Sequence, residues 1–281
     1  MELGRYKVGK AVGRAFQSGV MLFTIIVSTF PIIWVIMSSF KTNGEILGGP
    51  FVLPSSINFD AYAYLFQEYN FGIYVLNSLI VSVTPTLLSI IFFSMAAYVI
   101  AKFKFPGSKL FFALFVVTLL VPIHSRTQPI FSLIIGLRLY DTRMGLILVY
   151  LSGGLAMSMF ILKATFQAIP KELGESAEID GAGFVRNFWT VHMPLAKTGI
   201  TTAGVLMFLM NWNEFYYANL LILSSANRTL PVVTILFNSM FAYNYTNTFA
   251  ALTVVVVPGI VIYAFASKQV QQSMASTAVK G

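Results

Sequence analysis

The sequence predicts an all-α, polytopic membrane protein with six transmembrane helices. Of its 281 residues, 57% are hydrophobic and only 10% are charged, and the mean hydropathy is +0.78. Charged residues usually make up about a quarter of a soluble domain, so this chain has too few charges to cover a surface in water. The apolar residues also fall into long stretches with few or no charges, and about 20 such residues in a helix cross the hydrocarbon of a bilayer.

The spans are predicted at 18–39, 75–101, 110–132, 144–165, 199–223 and 249–267. The first is expected to be a retained helix, because its apolar run is too long for a cleaved signal and ends without a small-residue cleavage pattern. The third and fifth contain polar groups, including Arg126 and Glu214, which must face protein or water. The chain then divides into a tail at 1–17, a transmembrane domain at 18–267 and a tail at 268–281.

The distribution of Lys and Arg predicts the orientation of the spans, because cytoplasmic loops carry an excess of these residues. With the N-terminus in the cytoplasm, thirteen of the 18 basic residues fall on the cytoplasmic side. They are Arg5, Lys7, Lys10, Arg14, Lys102, Lys104, Lys109, Lys163, Lys171, Arg186, Lys197, Lys268 and Lys280. We therefore expect a multi-pass protein of the cell (plasma or inner) membrane with both termini cytoplasmic. The net charge of +8 then reflects topology, and no nucleic-acid partner is expected.

The longest predicted cytoplasmic loop, 166–198, reads as helix, turn, helix. Pro170 is typical of a helix start and Gly181 of the left-handed residue that ends one. The second helix is expected to end at Pro194 and to carry Phe184, Val185, Phe188, Trp189 and His192 on one face.

The first helix of this loop is acidic, and three interpretations of it are open. A helix lying on lipid should be rich in Lys and Arg, whereas this one carries Glu172, Glu175, Glu178 and Asp180 against Lys171 alone. A solvated connector explains the carboxylates but not the paired helices. The third interpretation is an acidic knob that docks on a protein with basic residues.

The segment "ESAEIDGAGFVRNFWTVHMPL" resembles the EAA loop of permease subunits in binding-protein-dependent ABC importers, with Ser176, Val191 and Met193 as its departures from the family pattern. Other stretches are similar, in order, to the shorter permease of maltose-type sugar importers. They are "LPSSINFDAYAYLF" (53–66), "NSLIVS" (77–82), "AAYVIAKFKFPG" (96–107), "GLILVYLSGG" (145–154), "IPKEL" (169–173), "WNEF" (212–215) and "AVKG" (278–281).

The resemblance implies a type I ABC importer permease fold in which loop 166–198 couples the membrane domain to a cytosolic ATPase. The residues to which it assigns this coupling are Glu175, Ala177, Asp180, Gly181, Ala182 and Pro194. It further implies a second homologous permease, two ATPase subunits, an extracytoplasmic sugar-binding protein and a sugar as partners. ATP and Mg²⁺ would bind to the ATPase, so no cofactor is expected in this chain.

Polar residues inside the fifth span suggest a substrate path. Asn211, Asn213, Glu214 and Tyr216 combine amide, carboxylate and aromatic groups, and sugars bind to such groups. The alternative is that they join helices to one another, which is the interpretation we favour for Asn77, Ser78 and Ser82 in the second span.

Catalytic and metal-binding patterns are weak. Residues 4–11, "GRYKVGKA", match the spacing of a phosphate-binding loop, but Ala11 replaces the Ser or Thr that Mg²⁺ requires and no strand precedes it. We interpret His124 as part of a polar helix end and His192 as loop packing, and neither as a metal ligand. The resemblance therefore implies a non-enzymatic importer subunit for a sugar, and these weak patterns do not oppose it. An importer of another solute such as a polyamine, an ion-driven secondary transporter and a structural scaffold are the alternatives.

Overall fold

A computed structural model describes residues 2–240 and 244–278, and in this part of the chain the regular structure is entirely helical. Short 3₁₀ turns occur at Ile123–Arg126 and Ser225–Asn227, and a π turn at Phe188–His192. The α-helices are α1 Glu2–Ser38, α2 Asn43–Leu47, α3 Asp60–Glu68, α4 Phe71–Lys102, α5 Ser108–Val117, α6 Thr127–Gly136, α7 Arg143–Gly153, α8 Leu155–Ala168, α9 Lys171–Ile179, α10 Phe184–Asn187, α11 Met193–Leu195, α12 Lys197–Trp212, α13 Tyr216–Leu221, α14 Leu230–Met240 and α15 Tyr245–Ala278.

The first, second and sixth predicted spans each lie in one long apolar helix. The stretches that can cross a membrane by length and composition are Gly13–Ser38, Phe71–Lys102 and Tyr245–Phe265, with mean hydropathies of 2.4, 2.1 and 2.2. The first of these stretches is the later part of α1, and the earlier part of α1 contains residues 4–11. Those residues are therefore helical and do not form a phosphate-binding loop.

The fourth predicted span consists of α7 and α8, which meet at a 47° bend. The bend lies at Gly153 and Gly154, and α12 passes very close to it. A Cβ added to Gly154 would lie 1.9 Å from the sulfur of Met207. A residue with a Cβ at this position would therefore require the Met207 side chain to move.

The third predicted span, 110–132, is wrong as a single helix. α5 ends at Val117, and Pro122 follows in an extended conformation before the 3₁₀ turn and α6. Proline has no N–H for a helical hydrogen bond, and its ring disfavours helical geometry in the residue before it. Pro122 therefore separates two short helices where the apolar pattern predicted one long helix.

The described residues form two compact units, one made of residues up to 70 with those between 236 and 254, the other of 71–235 with those from 255 onwards. In the first unit, the side chain of Thr42 caps α2 and the carboxylate of Glu45 accepts hydrogen bonds from Thr42 and Ser55. These bonds, above all the one from the Ser55 hydroxyl, lower the pKa of Glu45 to about 2.

Two of the apolar clusters in the described part of the second unit adjoin the candidate sites described below. One is centred on Leu146, Tyr150 and Leu221, and joins α7 to α13. The other is centred on Tyr98, Leu162 and Phe188, and joins α4 and α8 to the segment that follows α9.

Candidate functional site

The turn after α9 has the geometry that the sequence predicted. Gly181 has a φ of +82°. The Ala182 N–H donates to the Ala177 carbonyl at 2.8 Å, and the Gly181 N–H donates to the Glu178 carbonyl at 3.0 Å. These two bonds form a Schellman motif, which satisfies carbonyl groups at the end of the helix. The direction of the chain after α9 is therefore fixed by the backbone itself.

The end of α9 projects away from the rest of the second unit. Ile179 is 86% exposed, and a Cβ added at Gly181 would have no neighbour within 4 Å. Glu175 and Asp180 are exposed, and within residues 2–240 and 244–278 their carboxylates form no hydrogen bond or ion pair. An exposed apolar side chain thus lies beside two unpaired negative charges.

The segment after the turn differs from the prediction in two respects. It is helical from Phe184 to Leu195, so Pro194 lies inside it and does not end it. Pro194 follows the π turn directly, as the second residue of α11.

The π turn explains the second difference. Its five residues alter the helical period, so the predicted single face of five residues is divided. Phe188 and His192 are buried, whereas Val185 and Trp189 are 65% and 45% exposed. An i to i+5 turn inserts an extra residue, which a pattern based on 3.6 residues per turn does not anticipate.

The acidic helix is held to α4 and α8 by a group of aromatic rings, which we call the Tyr98 cluster (Tyr98, Phe166, Phe184, Phe188 and His192). The Tyr98 ring lies 4.7 Å from the His192 ring, 5.2 Å from Phe188, 5.8 Å from Phe166 and 5.6 Å from Phe184. His192 is 2% exposed, so the interpretation of this residue as loop packing is confirmed.

α9 lies directly on this cluster through Gly174. A Cβ at Gly174 would lie 3.0 Å from a carbon of the His192 ring, and the buried Asn187 amide donates to the Gly174 carbonyl at 3.0 Å. Gly174 and Asn187 were not among the predicted site residues. The only sequence feature that could have indicated this contact is a glycine inside a predicted helix. Glycine destabilises a helix, so its presence there suggests that another element packs closely against it.

The second candidate site is the interruption between α12 and α13. Glu214 accepts hydrogen bonds from the Tyr217 N–H at 2.8 Å, the Ala218 N–H at 3.0 Å and the Tyr150 hydroxyl at 2.7 Å. Its carboxylate therefore caps α13 and joins it to α7. This arrangement is typical of a structural carboxylate in an apolar environment, where unpaired charge is costly.

The other predicted path residues differ in exposure. Asn211 is buried, with its amide 3.4 Å from the Thr86 hydroxyl, whereas Asn213 is exposed and donates to the Leu209 carbonyl. Tyr216 shares a hydrogen bond of 2.8 Å with Thr127, and its ring contacts His124. His124 lies in the 3₁₀ turn before α6, which agrees with its interpretation as part of a polar helix end.

Polar contacts also join elements near the start of α4 and α7. The Asn77 amide donates to the carbonyls of Ala226 and Arg228, and the Ser78 hydroxyl accepts from the Leu230 N–H. The predicted role of Asn77 and Ser78 in joining helices is therefore confirmed. The Ser82 hydroxyl is buried without a partner among the described residues.

Asp141, which the sequence analysis did not select, performs a similar joining function. One of its oxygens accepts from the backbone N–H groups of Leu223 and Ser224 and from the Ser224 hydroxyl. Partial burial raises the pKa of Asp141, but the hydrogen bonds outweigh this effect and the resulting pKa lies below its usual value.

Comparison with known proteins identifies the family of this chain. Residues 89–276 match the family described as "Binding-protein-dependent transport system inner membrane component". The chain belongs to this family. It is 35% identical over 268 residues to the diacetylchitobiose uptake system permease protein NgcG of Streptomyces coelicolor, covering 92% of this chain and 87% of that protein. It is 31% identical over 265 residues to the trehalose transport system permease protein SugB of Mycobacterium tuberculosis, covering 93% and 96%.

The fold is similar to a chain in the crystal structure of a bacterial ABC transporter involved in the import of the acidic polysaccharide alginate. The TM-score is 0.80 at 22% identity, covering 92% of this chain and 97% of that chain. The chain therefore has the type I importer permease fold. It is a multi-pass membrane protein and a non-catalytic permease component of a transport system.

Proposed function

We propose that this permease forms part of the translocation path of an ATP-driven importer for a sugar or oligosaccharide, and that loop 166–198 couples it to a separate ATPase. The observation that carries the proposal is the exposed, acidic end of α9, closed by a Schellman turn and held to α4 and α8 by the Tyr98 cluster. The names of relatives that transport diacetylchitobiose and trehalose support the substrate class. The complete transporter also contains a second permease, two ATPase subunits and an extracytoplasmic binding protein.

The proposed coupling role depends on the charge, size and backbone conformation of the loop residues. Unpaired carboxylates on Glu175 and Asp180 attract basic groups on the ATPase. Ala177 and Ala182 are small, so an approaching surface meets the backbone closely, and Gly181 fixes the turn. Pro194 stiffens α11, which is part of the helical segment that meets α12 at 78°.

Movement of the ATPase then reaches the membrane helices through packed side chains. When ATP and Mg²⁺ close the ATPase subunits, α9 moves with them, and the Tyr98 cluster passes this displacement to α4 and α8. The membrane helices turn from inward-facing to outward-facing and receive sugar from the binding protein. Hydrolysis resets the cycle.

For the substrate path, the proposal assigns different tasks to the four polar residues near the α12 to α13 break. Asn213, whose side chain is exposed, contacts the sugar, and Tyr216 offers an aromatic face. Glu214 and Asn211 hold the backbone of the break in place. Asn213→Ala should therefore alter sugar selectivity without lowering the yield of assembled complex. Unchanged transport of every sugar by this variant would contradict the path assignment.

The coupling proposal is tested by Glu175→Lys, with Glu175→Gln as a graded control. Reversing the charge replaces attraction by repulsion, whereas neutralisation only removes attraction. We expect Glu175→Lys to abolish uptake with the permease inserted and paired, and Glu175→Gln to reduce uptake partially. Suppressors of Glu175→Lys should arise in the ATPase and not in the binding protein. Wild-type uptake by Glu175→Lys would leave α9 as a solvated connector.

Orientation is tested by cysteine labelling, because the chain contains no native cysteine. With both termini in the cytoplasm, Ser56→Cys should react with an impermeant thiol reagent in intact cells, and Ser176→Cys should react only after the membrane is opened. Labelling of Ser176→Cys from outside would reverse the proposed topology.

The substrate class is tested on the assembled complex. The permease is purified with its co-expressed partners in lipid nanodiscs, and ATPase activity is measured with the binding protein and a panel of oligosaccharides and polyamines. Stimulation by an oligosaccharide supports the proposal, whereas stimulation by a polyamine alone would replace sugar with that solute.

A further inference from the structure

A basic pocket lies where α4 ends and α5 begins. It has a volume of about 420 Å³, and its lining includes Ile100, Lys102, Lys104, Phe105, Ser108 and Lys171. Three of these residues are lysines and none is acidic. The pocket therefore has the charge that an anionic group requires.

Among the residues that the structure describes, no carboxylate forms an ion pair with the lysines of this pocket. The Lys102 ammonium donates to the Ile169 carbonyl, a neutral acceptor. Lys171 lines the same pocket as Lys102 and carries the same charge. Lys104 is exposed. Like charges held near one another are stabilised when an anion binds between them.

The start of α5 adds a second attraction for an anion. No side chain caps this ten-residue helix, and its first residue, Ser108, lines the pocket. The Ser108 N–H already donates to the Phe105 carbonyl at 3.2 Å, so the attraction comes from the helix dipole and the N–H groups that follow. The N-terminus of a helix carries unpaired N–H groups and a partial positive charge, and both favour phosphate oxygens.

An apolar groove continues directly from the basic pocket. It has a volume of about 410 Å³ and is lined by Met95, Ala96, Val99, Ile100, Phe105, Phe111 and Phe115. Ile100 and Phe105 line both cavities, so the polar and apolar parts meet at these two side chains. The groove runs along α4, one of the helices that can cross a membrane.

We propose that this paired pocket and groove bind one anionic phospholipid. The phosphate lies among Lys102, Lys104 and Lys171, and an acyl chain follows the groove past Val99 and Phe115. Basic pockets between membrane helices bind such headgroups, and the apolar continuation distinguishes a lipid from free phosphate. Because Lys171 is the first residue of α9, the lipid contacts the base of the acidic helix. The site does not depend on the substrate or on the coupling role.

The experiment measures lipids that co-purify with the assembled complex. The complex is extracted from native membranes, and bound phospholipids are quantified by mass spectrometry against the bulk membrane. Wild type should retain anionic phospholipid in preference to zwitterionic lipid. The double variant Lys104→Gln/Lys171→Gln should retain about thirtyfold less, since each lysine near an anionic headgroup contributes about fivefold in affinity.

A matched control removes the same charge elsewhere. Arg186→Gln/Lys197→Gln replaces two exposed basic residues that line neither cavity, and this variant should retain lipid as the wild type does. Equal loss in the two double variants would show a general charge effect and overturn the site.

Two further arms identify the occupant. Ala96→Phe fills the groove without changing charge, and it should reduce lipid retention while excess inorganic phosphate does not. If phosphate displaces the bound anion and Ala96→Phe has no effect, the pocket binds free phosphate and the lipid proposal fails. If Val99→Cys cross-links to the second permease and anionic lipid is absent, a protein helix covers the groove and the proposal also fails.

Discussion

The two candidate sites use carboxylates in opposite ways. At the break between α12 and α13, Glu214 accepts three hydrogen bonds from Tyr150, Tyr217 and Ala218. At the end of α9, Glu175 and Asp180 are exposed, and their carboxylates have no partner within the described residues. Both segments interrupt a helix beside an acidic residue, so sequence composition alone makes them look similar.

The difference separates a carboxylate that stabilises the fold, Glu214, from carboxylates that are available to bind another protein, Glu175 and Asp180. A carboxylate that is satisfied internally has little capacity left for a ligand, whereas an unpaired one on a rigid turn retains all of it. Three variants, in order of decreasing effect, test whether this distinction governs stability and function.

The largest effect is expected from Glu214→Ala. It removes the acceptor for two backbone N–H groups and a hydroxyl, and hydrogen bonds to charged groups are worth about 1.5–3 kcal/mol each, with a further penalty for buried donors left unpaired. We expect a loss of about 3 kcal/mol or more in stability, measured as a lower yield and a lower Tm of the assembled complex. Asn213→Ala, one residue earlier and exposed, should leave both unchanged.

A double-mutant cycle sharpens this result. Tyr150→Phe removes one bond to Glu214, so its effect should be large in the wild type and small in the Glu214→Ala background. If the effects of Tyr150→Phe and Glu214→Ala simply add, the two groups do not act together and the structural role of Glu214 is refuted.

A smaller effect is expected from Gly181→Ala in the acidic turn. The space around Gly181 is open, so the cost comes only from the φ of +82° and amounts to about 1 kcal/mol. Uptake should fall several-fold while the yield of complex stays unchanged. Gly183→Ala is the matched control, because Gly183 also has open surroundings but has a φ of −68° that alanine adopts readily. Equal uptake by the two variants would remove the turn from the coupling proposal.

The smallest effect is expected from Asp141→Asn, which keeps the shape of a satisfied carboxylate but removes its charge. Its folded-state pKa lies below the usual 3.8, so the stabilisation is complete above that value and is lost as the pH falls through the depressed pKa. At pH 7 the variant should be destabilised by about 0.5 kcal/mol, because charge-assisted bonds become neutral ones. The difference in Tm should narrow as the pH falls below 3.8. A constant difference from pH 7 to pH 3 would show that the charge of Asp141 is irrelevant.

The sequence predicted the acidic helix and its turn because these depend on local chemistry. Pro170, Gly181 and the surrounding carboxylates act within a few residues of one another, and the structure shows the expected turn. The partners of Glu214 were not predictable in the same way, since Tyr150 lies 64 positions away in the chain. Asp141 was missed because its function depends on the backbone of Leu223 and Ser224, which any residue supplies.

The third predicted span was wrong for a related reason. Hydrophobicity from 110 to 121 continues smoothly towards Pro122, and an average over 20 residues does not register a single proline. The Tyr98 cluster was likewise not predicted, because its rings come from α4, α8 and the segment after α9.

The π turn at Phe188–His192 gives this segment tolerance in chain length. It contains one residue more than an α-helix needs between the same two ends. Deleting one residue from it should restore ordinary α-helical bonding and keep Phe184 beside Tyr98. In α9 or α12, which have no such extra residue, a deletion would rotate one part of the helix by about 100° relative to the other. Single-residue deletions should therefore be tolerated better at Phe188–His192 than in α9 or α12.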